Sequence, residues 1–307
     1  MPGGKKFVLF AIVPVLVFLA MFAVFRMEDK LPGSKVVVET AKSGLLRVGV
    51  EYALAETVSD IVPVFGRHYP DAGVKLEEGP FAEIFNRFLG KDIEAMLWSG
   101  LPGKHERSLL EKAHIDYRLE PVAKNAVVCI VSTENTVPYL CVEELAEIYT
   151  GRKKKWDKGR EIRPCLNNND LRLQEQFLAL TAPKEKVLTA CFAESDEELI
   201  HLVSDDVSAV GILSLSKAAS LVKSGEFSSA VRMVPICNKK GEQPVEPSQF
   251  MVYREEYPLV YIVYYMYRKE KALAAGFGAW LADEAQKGFA RSSVAPFKQP
   301  ERVIYLK

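Results

Sequence analysis

Residues 137–156 read VPYLCVEELAEIYTGRKKKW, and their spacing sets how the rest of the chain is read. Leu145, Ile148 and Tyr149 stand at i, i+3 and i+4, which predicts a short helix from about Val142 with one apolar face packed on a core. Gly151 follows. A glycine there can take the left-handed conformation that ends a helix, and the basic residues Arg152–Lys155 sit favourably at the negative end of its dipole. Trp156 then supplies an aromatic anchor. Just upstream, Ala126–Val131 reads AVVCIV and is apolar on both faces, as a buried strand requires.

Outward from this centre, strand-like and helix-like stretches alternate. Toward the N-terminus, Leu45–Val50 is a compact apolar strand, and Val58, Ile61, Val62 and Phe65 mark a helix that contains Pro63. A second strand is expected at Val74–Leu76, then a helix carrying Phe81, Ile84, Phe85 and Phe88 and stopped by Gly90, then a third strand at Asp92–Leu97. Toward the C-terminus the pattern predicts a weak strand at Arg160–Cys165, a helix at Leu171–Leu180, and strands at Ala209–Leu213, Arg232–Ile236 and Tyr261–Tyr267. A closing helix carries Phe277, Trp280 and Leu281 on one face. This alternation argues an α/β fold with a largely parallel sheet.

Several of these stretches together resemble the periplasmic phosphate-binding protein family, of which the chain is identified as a divergent member. The resemblance rests on four places: the helix, glycine and tryptophan of 137–156; Gly90-Lys91-Asp92-Ile93; Tyr257-Pro258-Leu259 before a β-rich run; and the C-terminal helix followed by Gln286 and Ala295–Phe297. It covers roughly residues 45 to 300. It implies a two-lobed, type II periplasmic-binding-protein-like fold with two crossover strands and an interlobe cleft. The corresponding divisions are 1–26 as anchor or uncleaved signal, 27–43 as tether, 44–124 plus 255–307 as lobe one, and 125–254 as lobe two.

Composition narrows the function classes. The 307 residues are 49% hydrophobic and 26% charged, an ordinary globular balance, and 40 basic residues against 40 acidic ones leave no global field to attract nucleic acid. Behind Lys5 and Lys6, Phe7–Phe25 is an uncharged apolar run of about 19 residues, which at roughly 1.5 Å each can cross a bilayer. Only Ala20 and Ala23 are small near its end, with the wrong spacing for signal cleavage, so an N-terminal membrane anchor is expected. The resemblance places the remainder in the bacterial periplasm or at the cell surface, anchored to the inner membrane. Five cysteines show no CxxC pair and are expected to be mostly free thiols, with Cys129 a small core residue. Four histidines show no metal-ligand spacing, no cofactor is indicated, and no P-loop, GxSxG, HExxH or GxGxxG motif supports an enzyme.

The family holds phosphate on hydroxyls and on backbone amides at helix N-termini, and here this chain departs from it. The loop after the first strand reads Gly49-Val50-Glu51-Tyr52-Ala53-Leu54, and the next Glu77-Glu78-Gly79-Pro80-Phe81. The turn in the second lobe, where the family has serine, glycine and threonine, reads Asn167-Asn168-Asn169-Asp170-Leu171-Arg172. Like charges about 5 Å apart at an effective dielectric near 20 repel by roughly 3 kcal/mol, so Glu51, Glu78 and Asp170 around a phosphate dianion would cost several kcal/mol. Tyr52, Ser99, Asn168, Asn169, Asp170 and Arg172 are the ligand-binding candidates that the resemblance and the remaining donors leave. Two functions follow. One is a solute-binding protein that delivers a small anion, phosphate or another, to a membrane permease; the other is a ligand-free module anchored to the membrane for interaction or sensing.

Overall fold

A computed structural model describes residues 39–299 apart from 158, 186 and 226–228. The anchor expected at Phe7–Phe25 and the tether before residue 39 lie outside the described residues, and among those described no helix is long and apolar enough to cross a membrane.

The first part of the chain builds one half of a mixed sheet. It comprises β1 (Gly44–Glu51), α1 (Tyr52–His68), β2 (Ala72–Gly79), α2 (Phe81–Leu89), β3 (Ala95–Ser99) and α3 (Lys104–Lys112). β1 pairs in parallel with β2 on one side and β3 on the other. β4 (Tyr117–Ser132) then crosses into a second half made of β5 (Leu140–Cys141), α4 (Val142–Tyr149), β6 (Arg163–Asn167), α5 (Leu171–Thr181), β7 (Cys191–Ala193), α6 (Asp196–Asp205), β8 (Ala209–Ser214), α7 (Leu215–Ser224), β9 (Val231–Val234) and β10 (Ile236–Cys237). The chain returns through α8 (Gln249–Tyr253) to β11 (Val260–Arg268), α9 (Ala272–Ala282), α10 (Gln286–Phe289) and β12 (Ala295–Pro296).

The strand order is β2-β1-β3-β11-β4-β8-β6-β7, with β9 and β12 also on β4. β4 is the hinge of this arrangement. Its residues 117–126 pair antiparallel with β11, whereas 127–132 pair with β8 and β9, so one strand belongs to both halves. Residues 122–132 are buried throughout, which is why AVVCIV reads as a strand; the preceding segment carries Arg118, Glu120 and Lys124, and its mixed polarity conceals it in the sequence. At the second crossing Tyr257 donates its hydroxyl to the Val127 carbonyl at 3.1 Å. The fold is thus the two-lobed α/β type expected.

The element at 137–156 forms as its spacing predicts. Leu145, Ile148 and Tyr149 are buried, and the Tyr149 hydroxyl donates to the Val210 carbonyl of β8 at 2.9 Å. Gly151 has φ of +75°, and the amides of Gly151 and Arg152 close the helix on the carbonyls of Ile148 and Glu147. Part of the basic segment behind it is paired, Arg152 with Glu185, Lys153 with Glu144 and Arg163 with Asp206.

Two expectations fail: the sheet is mixed and not largely parallel, because the crossing strands β4 and β11 run antiparallel to their neighbours, and the cysteines are not mostly free. Four of the five cysteines are bridged, Cys141 to Cys237 and Cys165 to Cys191; only Cys129 is free, and it is buried. The bridges join neighbouring strands, β5 to β10 and β6 to β7, with cysteines 96 and 26 residues apart in sequence. Spacing along the chain therefore could not disclose them.

Candidate functional site

Between the two half-sheets the strand ends and helix N-termini converge. β1 ends at Glu51, directly before α1, and β3 ends at Ser99; from the opposite half, Asp170 caps α5 and Ser214 caps α7. Such positions collect orphan backbone amides and the positive end of helix dipoles.

Glu51 is buried, and its carboxylate accepts both donors of Ser99, the hydroxyl at 2.9 Å and the amide at 3.3 Å. Burial pushes its pKa up to about 7; the Asp170 charge adds to this, while Arg172 and the Ser99 donors oppose it. Asp170 accepts from the Leu173 amide at 3.0 Å, and burial, reinforced by Asp196, raises its pKa to about 6 despite that bond. Asp196 lies on α6 and accepts from the Asn167 side chain at 2.8 Å. On β11, Tyr261 is held protonated, its pKa raised first by burial and then by the charges of Asp170 and Glu51.

Arg172 crosses the junction. Although on α5, it donates from Nε to the Ser99 carbonyl at 2.6 Å and from one terminal nitrogen to the Leu101 carbonyl at 2.8 Å, both in the first half. Its other terminal nitrogen bonds Glu175 at 2.6 Å, one turn along α5. The guanidinium stands 5.0 Å from the centre of the Phe81 ring and 5.1 Å from that of Trp98, and only 5% of the residue is exposed. Gln176 also packs here. A Cβ on Gly100, whose φ is +75°, would meet its side chain at 2.4 Å. A second seam joins α1 to α7, where the Ser216 hydroxyl donates to the Ala53 carbonyl at 2.9 Å and Glu56 is bonded by Ser220 and Lys223.

Of the candidate residues, Ser99, Asp170 and Arg172 are brought together around Glu51. Tyr52 is the first residue of α1 and two-thirds exposed at 66%. Asn168 and Asn169 are exposed in the turn before α5; the Asn169 side chain donates to the Glu194 carbonyl at 2.7 Å, and the Asn168 amide is taken by Ala193. Glu78 is exposed on the edge strand β2. Residues not proposed for the site from the sequence complete the junction: Phe81, Trp98, Gln176, Tyr261, Ser216 and Asn125. Asn125, fully buried and bonded to Ser216, is a polar residue at the head of an apolar strand and offered the one readable signal. Among the described residues no group of three or more His, Cys, Asp or Glu side chains could hold a metal ion.

The domain model described as the PBP superfamily domain matches residues 36–285. No curated protein matches the sequence significantly. Among solved structures, the chain is similar to a Clostridium perfringens protein with bound phosphate, assigned as a phosphate ABC transporter substrate-binding protein, at TM-score 0.66 and 16% identity over 83% of this chain and 100% of that one. An ABC-type phosphate transport receptor from Vibrio cholerae gives TM-score 0.62 at 15% identity, covering 81% and 99%. The OxyR2 regulatory domain from Vibrio vulnificus gives 0.51 at 12% identity, covering 80% and 96%.

Proposed function

The chain belongs to the PBP superfamily, and from that premise we propose that it is an extracytoplasmic solute-binding protein whose ligand site is the junction of Glu51, Ser99, Asp170 and Arg172. The observation carrying this reading is the convergence of α1 and α5 N-termini from opposite halves onto buried, charged side chains. Junctions between lobes suit small ligands and can close on them. Lobe one is taken as 44–124 plus 255–307 and lobe two as 125–254. Tyr52, Asn168 and Asn169, exposed at the starts of α1 and α5, are proposed as further contacts.

A small anion such as phosphate is the proposed solute and a membrane permease the proposed recipient. Two carboxylates oppose a bound dianion, so the reading requires Glu51 and Asp170 to be protonated as the anion enters. Two bridged cysteine pairs support an oxidising, extracytoplasmic compartment, and the apolar run Phe7–Phe25 supports a membrane anchor. No catalytic motif competes with a binding role.

A second reading, an interaction or sensor module that binds no solute, is favoured by one observation: the donors of Ser99 and Arg172 are already committed to protein acceptors. The fold also serves as a regulatory domain in OxyR2. A thermal-shift screen of the full chain in detergent against phosphate, sulfate, carboxylates and amino acids separates the two. A solute at about 100 times its dissociation constant adds roughly 2.7 kcal/mol and shifts the midpoint by several degrees. No shift with any solute at millimolar concentration would leave the module reading.

A further inference from the structure

We propose that Arg172 is a built-in latch that holds the two halves together through protein contacts, so that closure of the junction does not depend on a solute. The geometry makes the case nitrogen by nitrogen. Nε and one terminal nitrogen reach across to the carbonyls of Ser99 and Leu101, and the other terminal nitrogen is fixed by Glu175 on its own helix. Phe81 and Trp98 of the first half stack on each other, and the guanidinium lies 5.0 and 5.1 Å from their ring centres, within the range in which a cation gains from an aromatic ring. A planar fork bonded to two carbonyls beside aromatic rings is a function of arginine that lysine does not reproduce.

The opposing wall is equally committed. Ser99 gives its amide and hydroxyl to Glu51 and its carbonyl to Arg172, so one residue joins the first-half carboxylate to the second-half cation. The contacts that a bound ligand makes between lobes in a hinged binding protein are here made by side chains of the chain itself. A solute entering this site has to displace Arg172, and its apparent affinity is reduced by the fraction of molecules in which the latch is shut. This inference concerns the unliganded protein and stands apart from the identity, or existence, of a solute.

The test uses the full-length protein in detergent with spin labels on Arg67→Cys, exposed on α1, and His201→Cys, exposed on α6. Native cysteines do not interfere, since four are bridged and Cys129 is buried. Electron double resonance of the labelled protein should give one narrow, short distance distribution, unchanged by added phosphate. Arg172→Ala and Arg172→Lys, each checked for folding by circular dichroism, should add a longer population, lysine failing to restore the short one despite keeping the charge. A broad or long distribution that narrows only with phosphate overturns the latch. So does a wild-type distribution in both folded variants. If neither variant folds, the unliganded wild-type distribution decides alone.

Discussion

Glu51 stands at the end of β1, and its carboxylate accepts both the amide and the hydroxyl of Ser99. The arrangement has a pH signature. Carboxyls whose folded pKa values are about 7 and about 6 bind protons more tightly than in the unfolded chain, where the ordinary values lie near 4. Their contribution is therefore full below about pH 4 and is lost as the pH rises through 6 to 7. Glu51→Gln keeps an acceptor for the Ser99 amide and removes the charge. We expect it to raise the unfolding free energy at pH 7.5 by about 1–3 kcal/mol and to flatten the dependence between pH 5 and 7.5, read from urea midpoints. An unchanged slope would show that Glu51 does not titrate there. At this scale the sequence was half legible: the carboxylates and Arg172 stood out, but which of them face inward depended on neighbours such as Trp98 and Tyr261 from distant strands.

Secondary-structure elements were read best where their pattern was local. The helix at 142–149 is fixed by its apolar face and by Gly151, and both appear in the structure. A Cβ at Gly151 would find Thr189 no closer than 3.6 Å, so Gly151→Ala should cost only the left-handed backbone, about 1 kcal/mol in urea denaturation. A loss near zero would mean that the turn has another acceptable conformation. The helices Lys104–Lys112, Asp196–Asp205 and Leu215–Ser224 were not legible. Lys104–Lys112 buries only Leu110, which leaves a charged sequence with almost no apolar period. Nor were the bridges legible, because Cys141 and Cys237 are 96 residues apart and meet only when β5 and β10 pair. Closing loops of this kind contributes about 3–5 kcal/mol each. Reduction, verified by thiol titration, should lower the melting temperature by about 10 °C or more. A reduced protein melting at the same temperature would deny the bridges a part in stability.

Across the whole molecule, one strand shared by two half-sheets leaves a junction that Arg172 and the seam between α1 and α7 both span. The alternation of strand and helix was enough to foresee an α/β fold, and the resemblance to phosphate-binding proteins its two lobes; the contents of the cleft were not foreseeable, since they depend on which side chains meet across it. On the proposed function, this junction accepts a small anion only as Glu51 and Asp170 become protonated. Calorimetric titration of the full chain with sulfate, which keeps its charge through this range, at pH 5.5 and 7.5 tests it most directly. We expect binding that is at least tenfold tighter at pH 5.5, a change of about 1.4 kcal/mol, with Glu51→Gln recovering affinity at pH 7.5. Equal affinity at both pH values, or no heat from either protein with sulfate or phosphate, would contradict the account.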